Sequence, residues 1–178
     1  MIIDYVDSER GGKPITRFSF LIEDIDDVAK RNDFEELSLA SVHYKKLDPL
    51  TTTKLSLFQY MIGNLDWSIT ERHNMKLIIG DKGALPIAVP YDFDYSGLVN
   101  TPYALPPEAL NMPDVRSRLF RGFCRRNRYE ETITFYKGIE DELFNEVNNL
   151  SSLNSKSVNS VTKYMNSFFE NLNSDKYV

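Results

Sequence analysis

The chain has 178 residues, 42% hydrophobic and 12% aromatic, which suits one folded domain with a real core and excludes a disordered tail. Its net charge of −5 and pI near 5.1 exclude a broad electrostatic surface for nucleic acid, because phosphate binding needs concentrated lysine and arginine. A single cysteine, Cys124, excludes an internal disulfide and a cysteine-based zinc site, and suits a cytoplasmic setting.

The first residues, MIIDYVDSERGGK, lack the basic start and apolar run of a signal peptide, and no stretch approaches ~18 consecutive apolar residues, so no membrane span is expected. Residues 2–7 and 15–22 are rich in β-branched and aromatic side chains and flank a turn-like Gly-Gly-Lys-Pro run. They read as a β-hairpin, with Thr16, Phe18, Phe20 and Ile22 on the more apolar face of its second strand. Residues 28–31 read as a short helix with acids before it and bases at its end. Residues 33–47 fit a loop with a helical turn or a short strand.

Asp48-Pro49 is a strong helix start and Gly63-Asn64 a natural stop. The spacing of Leu50, Lys54, Leu57, Phe58, Met61 and Ile62 predicts burial along one face. Lys76–Ile79 and Leu85–Tyr91 read as two strands around an Asp-Lys-Gly turn, the second confined to an edge by Pro86 and Pro90. Residues 94–113 form a long ordered loop, a kind of segment that often carries function. Asp114 caps a predicted helix from Val115 to about Arg125. A further helix spans Tyr129–Leu150, interrupted at Gly138, and a last one spans Val158–Leu172. Residues 174–178 are expected to fray.

The chemically loaded stretch runs from Asp66 to Asp94. A helix end and two strand ends would bring Asp66, His73, Asn74, Asp92 and Asp94 into one cleft. Carboxylates and an amide are hard oxygen ligands suited to magnesium held through substrate phosphates, and an aspartate can also orient a hydroxyl nucleophile. Trp67 could line that cleft or simply pack. Arg116, Arg118, Arg121, Arg125, Arg126 and Arg128 crowd a patch that could hold phosphate or an acidic partner, with Arg116 and Arg121 best placed to face the acidic loop. Cys124 reads as a small core residue rather than a nucleophile.

This order of elements resembles the kinase-like fold, in which a helix leads into a loop with Asp and then Asn, followed by a hairpin and a metal-binding Asp in an Asp-Phe-Gly-type turn. Gly63-Asn64-Leu65-Asp66, Asn74 and Pro90-Tyr91-Asp92 look most like the atypical CotH-type and HipA-type kinases. Uncharacterised proteins of Bacteroidetes also carry the Val-Pro-Tyr-Asp-Phe-Asp-Tyr-Ser-Gly string. The resemblance implies an α+β fold: the mainly helical large lobe over residues 24–173, with residues 1–23 as a residual small-lobe hairpin and hinge.

By the same resemblance Asp66 is the catalytic aspartate, and Asn74, Asp92 and Asp94 hold magnesium. His73 and Asn64 support the loop, and backbone at Leu21, Ile22 and Glu23 faces the adenine of ATP. The implied activity is an ATP- and magnesium-dependent phosphotransferase, or a nucleotidyl transferase, acting on an acceptor of unspecified class. The chain departs from the pattern in two ways. Asp66 and Asn74 stand eight apart, against about five in typical catalytic loops, so residues 68–71 are expected to bulge out. The glycine-rich loop, small-lobe lysine and helix glutamate have no counterpart, so the domain reads as a fragment, a truncated reading frame, or a remnant whose activity is lost or supplied by a chain or segment completing the small lobe. The alternative is a non-catalytic binding or scaffold module of the same descent.

Overall fold

The computed structural model describes residues 1–9, 11–123 and 126–174. The architecture is mixed α+β, with a two-stranded sheet, a three-stranded sheet and five α-helices among the described residues. The expectations for Cys124, Arg125 and the last four residues fall outside the described residues.

β1 (Ile2–Tyr5) and β2 (Ile15–Phe18) pair antiparallel, Ile2 opposite Phe18 and Tyr5 opposite Ile15. The hairpin forms as expected, but every residue of both strands is solvent-exposed. The apolar face expected on β2 is therefore left bare: Phe18 is 75% exposed and Phe20 beyond it 82%. α1 (Ile25–Lys30) is capped by Asp24, whose side chain accepts from the Asp26 amide. The second sheet has the order β3 (Glu35–Glu36), β4 (Met75–Ile79), β5 (Ile87–Pro90), all antiparallel, and β5 lies at the edge where its prolines need no partner.

α2 (Pro49–Ile62) has the predicted ends: the Asp48 carboxylate accepts from the Thr51 amide at 2.8 Å, and Gly63 turns left-handed at φ 63°. Burial on one face was too modest an expectation. Thr52, Thr53, Leu55, Ser56, Leu57, Gln59, Met61 and Ile62 are all buried, so α2 is enclosed nearly all round. On one side Leu55 joins a core with Val42, Leu47, Trp67, Ile69, Met75 and Leu77. On another, Leu57, Met61 and Ile62 join Tyr136, Met165, Phe168 and Phe169. Thr53 and Ser56 stay buried at little cost because they return their hydroxyls to backbone carbonyls four residues back, whereas the side chains of Thr52 and Gln59 are buried with no partner among the described residues.

The predicted helix from Val115 does not form. Asp114 caps one turn, accepting from the Ser117 amide at 2.8 Å, and the chain then runs irregularly to Phe123. Tertiary contacts outcompete helix here. Arg118 donates to the carbonyls of Met61 and Tyr164, Arg121 to that of Leu65, and the Phe123 amide to Ser56 Oγ. Gly122 lies so close to α2 that a side chain would overlap Ser56. The segment thus straps α2.

α3 (Tyr129–Gly138) and α4 (Glu140–Asn149) divide at the expected glycine. Buried Tyr136 donates its hydroxyl to the Lys54 carbonyl at 2.9 Å. α5 (Ser155–Asn173) starts three residues earlier than its apolar pattern, because Asn154 caps it through the Ser157 amide. No helix among the described residues is long and apolar enough to cross a membrane.

Candidate functional site

α2 ends at Gly63, and the next residue begins the site. The Asn64 carbonyl accepts from buried Trp67 Nε1 at 3.1 Å, and its side-chain oxygen accepts from the Asp66 amide at 2.9 Å. Asp66 is therefore presented on a turn whose neighbours are rooted in the core. Trp67 packs there and does not line the cavity that borders Asp66.

The long spacing to Asn74 is closed by a miniature hairpin. Ser68 and His73 pair antiparallel through two backbone bonds of 3.0 and 3.1 Å. Only part of this insertion bulges out. Ile69 is 2% exposed and anchors in the sheet-side core, while Arg72 donates to the Leu39 carbonyl. The hairpin returns the chain so that His73 Nε2 lies 2.8 Å from Asp66 Oδ1. Asn74 Nδ2 donates to Asp66 Oδ2 at 3.0 Å and to the Asp66 carbonyl at 2.9 Å. The aspartate is thus clamped on both oxygens, and Asn74 Oδ1 stays available, since only the amide nitrogen can donate.

β4 leaves directly from Asn74, and β5 returns to it: the Tyr91 amide donates to the Asn74 carbonyl at 3.1 Å. Asp92 follows at once. Asn74 and Asp92 both adopt left-handed backbone, at φ 53° and 62°, which Asn and Asp tolerate better than other side-chain-bearing residues. Phe93 turns inward, edge-on to Phe58. The turn is stitched to the end of α2 by Gly97 N to the Gly63 carbonyl (3.1 Å) and Leu98 N to the Ile62 carbonyl (2.9 Å). Gly97 has no room for a side chain: a Cβ would stand 2.5 Å from the Tyr164 hydroxyl and 2.6 Å from the Val115 carbonyl.

Asp94 lies on the same turn but is also committed to the following loop. Its backbone carbonyl accepts from Thr101 Oγ1 at 3.0 Å and its carboxylate from the Tyr103 hydroxyl at 3.1 Å. That bond, with some burial, keeps the Tyr103 phenol protonated beyond its ordinary range. Burial, then the Asp94 carboxylate and more weakly that of Asp66, push the Asp92 carboxyl above its usual value. Asp92 and Asp94 thus share one negative patch that feels Asp66 weakly, and a divalent cation would relieve that repulsion. Among the described residues no three His, Cys, Asp or Glu side chains are disposed as a ready ligand set. The oxygens of Asp92 and Asn74 fit the magnesium habit of few protein ligands completed by phosphates.

Two cavities flank this centre. One, of about 430 Å³, lies between the linker into α1 and the β4–β5 sheet, and Ile22, Glu23, Lys76, Val89 and Tyr91 are among its walls. Of the three residues expected to face a nucleobase, Ile22 and Glu23 line it. Leu21 does not and is 78% exposed. The other cavity, of about 200 Å³, borders Asp66 itself, with Tyr95, Leu105, Pro107 and Val115.

Lys76 and Tyr103 were missed at the sequence level. Lys76 lies in β4 just after Asn74, and its approach to the cavity depends on the linker before α1, which no local signal reveals. No local signal marks Tyr103. The arginine patch is largely structural. Arg121 does reach the site loop, through the Leu65 carbonyl, but Arg116 turns to Ser160 and the Tyr164 ring on α5 instead of the acidic loop. Arg128 pairs with Glu131. Compared with known proteins, the chain matches no family model, no curated protein and no solved structure.

Proposed function

We propose that this chain is an atypical kinase-like phosphotransferase domain that works with magnesium and a nucleoside triphosphate, ATP being the donor its resemblance implies. The observation that carries the reading is the meeting of Asp66, Asn74 and Asp92 at one end of the β4–β5 hairpin, across an insertion that would otherwise separate them. Asn74 Oδ1 and Asp92 would hold the metal, with Asp94 beside them. Magnesium, when bound, neutralises phosphate charge. Asp66, clamped by His73 and Asn74, orients and accepts the proton of an acceptor hydroxyl entering from the smaller cavity. Phosphoryl transfer depends mainly on positioning and charge stabilisation, and this rigid clamp supplies the first.

Calorimetric titration of ATP with magnesium into wild type and Asp92→Asn tests the reading. Asparagine keeps the left-handed turn but removes the charge. Magnesium-dependent binding that is lost in the variant is expected. No binding at millimolar ATP by folded wild type would refute ATP as the donor.

A second reading has its own support. Residues 1–23 supply one hairpin, whose Gly11 and Gly12 have no described atoms close by, and both of its strands are exposed. A non-catalytic module that binds through this surface, or that takes up a chain or segment completing a small lobe, would use those apolar side chains.

A further inference from the structure

The larger cavity carries a lysine on one wall and two acidic residues, Glu23 and Asp24, on another, and Asp24 is engaged as the cap of α1. Lys76 projects from β4, and Glu23 stands on the linker before α1. The Lys76 ammonium lies 3.9 Å from Glu36, too far for a hydrogen bond, and it donates none to any described residue. It is a cation with unused donors, on a side chain that lines the cavity. The Glu23 carboxylate is held in place by Arg31, which donates to both its oxygens at 2.9–3.2 Å. A carboxylate has about four lone-pair positions, so acceptor capacity remains. Between the charges the walls are apolar, Ile22, Val28 and Val89, with the Tyr91 ring beside them. The volume of about 430 Å³ lies within the small-molecule range of ~300–1,000 Å³. Tyr91 leads directly into Asp92, so a nucleotide whose base occupies this cavity would extend its phosphates toward the carboxylate centre.

A donor-only group facing an acceptor-only group, across an apolar slot, describes the base that fits. Guanine carries two acceptors, O6 and N7, on the edge that lysine recognises, and two adjacent donors, N1–H and N2–H, that a carboxylate can take together. Adenine offers its N6 amine as a single donor flanked by acceptors, so it satisfies one charge well and the other poorly. We propose that this cavity selects guanine, and that the domain binds GTP in preference to ATP. The inference rests on the phosphotransferase reading and specifies its donor.

The test is competitive calorimetry on the full chain with Mg·GTP and Mg·ATP, in wild type, Lys76→Met and Glu23→Gln. Both substitutions are on the surface side of the fold, and thermal melting checks that each variant is folded. Wild type is expected to bind GTP at least tenfold more tightly than ATP. Lys76→Met should remove most of that preference while changing ATP affinity less than threefold, and Glu23→Gln should reduce it. Equal affinities, or a Lys76→Met loss shared by both nucleotides, would mean that Lys76 serves phosphate or nothing. That result overturns the guanine assignment and leaves the phosphotransferase reading standing. Binding of neither nucleotide overturns both.

Discussion

Two stretches of this chain are comparably apolar and end in opposite situations. The β1–β2 hairpin and its linker carry Ile2, Ile3, Tyr5, Phe18, Phe20, Leu21 and Ile22, all exposed. The stretch from Asn64 to Gly97 carries Trp67, Ile69, Met75, Leu77 and Ala88, all buried. Alternation alone makes a strand. Burial needs a second element to close on it, and α2 closes on β4–β5 while among the described residues no layer closes on the hairpin. The lesson for the site is that its polar groups are precise because their neighbours are anchored. Trp67 and Ile69 root the Asp66 turn, and Phe93 and Gly97 root the Asp92 turn. Asp66, Asp92 and Asp94 each stand next to such an anchor in sequence.

The comparison breaks most severely if an anchor is lost. Gly97→Ala pushes a methyl group into the Val115 carbonyl and the Tyr164 hydroxyl, and the backbone on the Val115 side cannot swing away as a side-chain tip can. A loss of about 2–3 kcal/mol is expected from this overpacking. It should lower the melting midpoint by roughly 4–10 °C for a chain of this size. Denaturant titration reads it directly, and a loss below about 0.5 kcal/mol would show that the turn is not seated as described.

A finer test separates backbone strain from the clamp at Asn74. Asn74→Gly keeps the left-handed turn but removes both bonds to Asp66, while Asn74→Ala removes the bonds and strains the backbone as well. Each lost clamp costs about 1 kcal/mol. The alanine variant should be less stable than the glycine variant by about 1 kcal/mol. Both should lose magnesium-dependent nucleotide binding, and a variant that kept it would remove Asn74 from the site. Equal stabilities would show that the φ of 53° carries no strain.

What was legible in the sequence follows the same division between local and tertiary causes. The ends of α2 were legible because Asp48, Pro49 and Gly63 act within one turn of themselves. The β4–β5 hairpin and the order of Asp66, Asn74 and Asp92 were legible from spacing. The strap at residues 115–123 was not. Its arginines look like a solvated helix face, and only the carbonyls of Met61, Leu65 and Tyr164, distant in sequence, show why it stays unwound. The full burial of α2 was hidden for a related reason. Thr53 and Ser56 read as surface until their hydroxyls are seen satisfied by the helix's own backbone. The closing of the eight-residue gap depended on Ile69 turning inward, which no local preference dictates.

The smallest expected effect lies at the other pole of the comparison. Phe18 is 75% exposed on a strand with no buried residue, so Phe18→Ser removes a side chain that the fold does not bury. Serine has a lower strand preference, and that is the only cost the described contacts impose. The change in stability should stay within about 0.5 kcal/mol, as for surface substitutions generally. Measured beside Gly97→Ala in the same denaturant series, it gives the contrast a scale: a severalfold difference between two substitutions in equally apolar stretches. If Phe18→Ser instead costs more than about 1 kcal/mol, Phe18 is covered in solution by something outside the contacts described. Sedimentation of the wild type over a concentration series would then show whether that cover is a second copy of the chain. Either result bears on function, because a bare hairpin is a free surface for the partner that the second reading requires, and a covered one shows that surface in use.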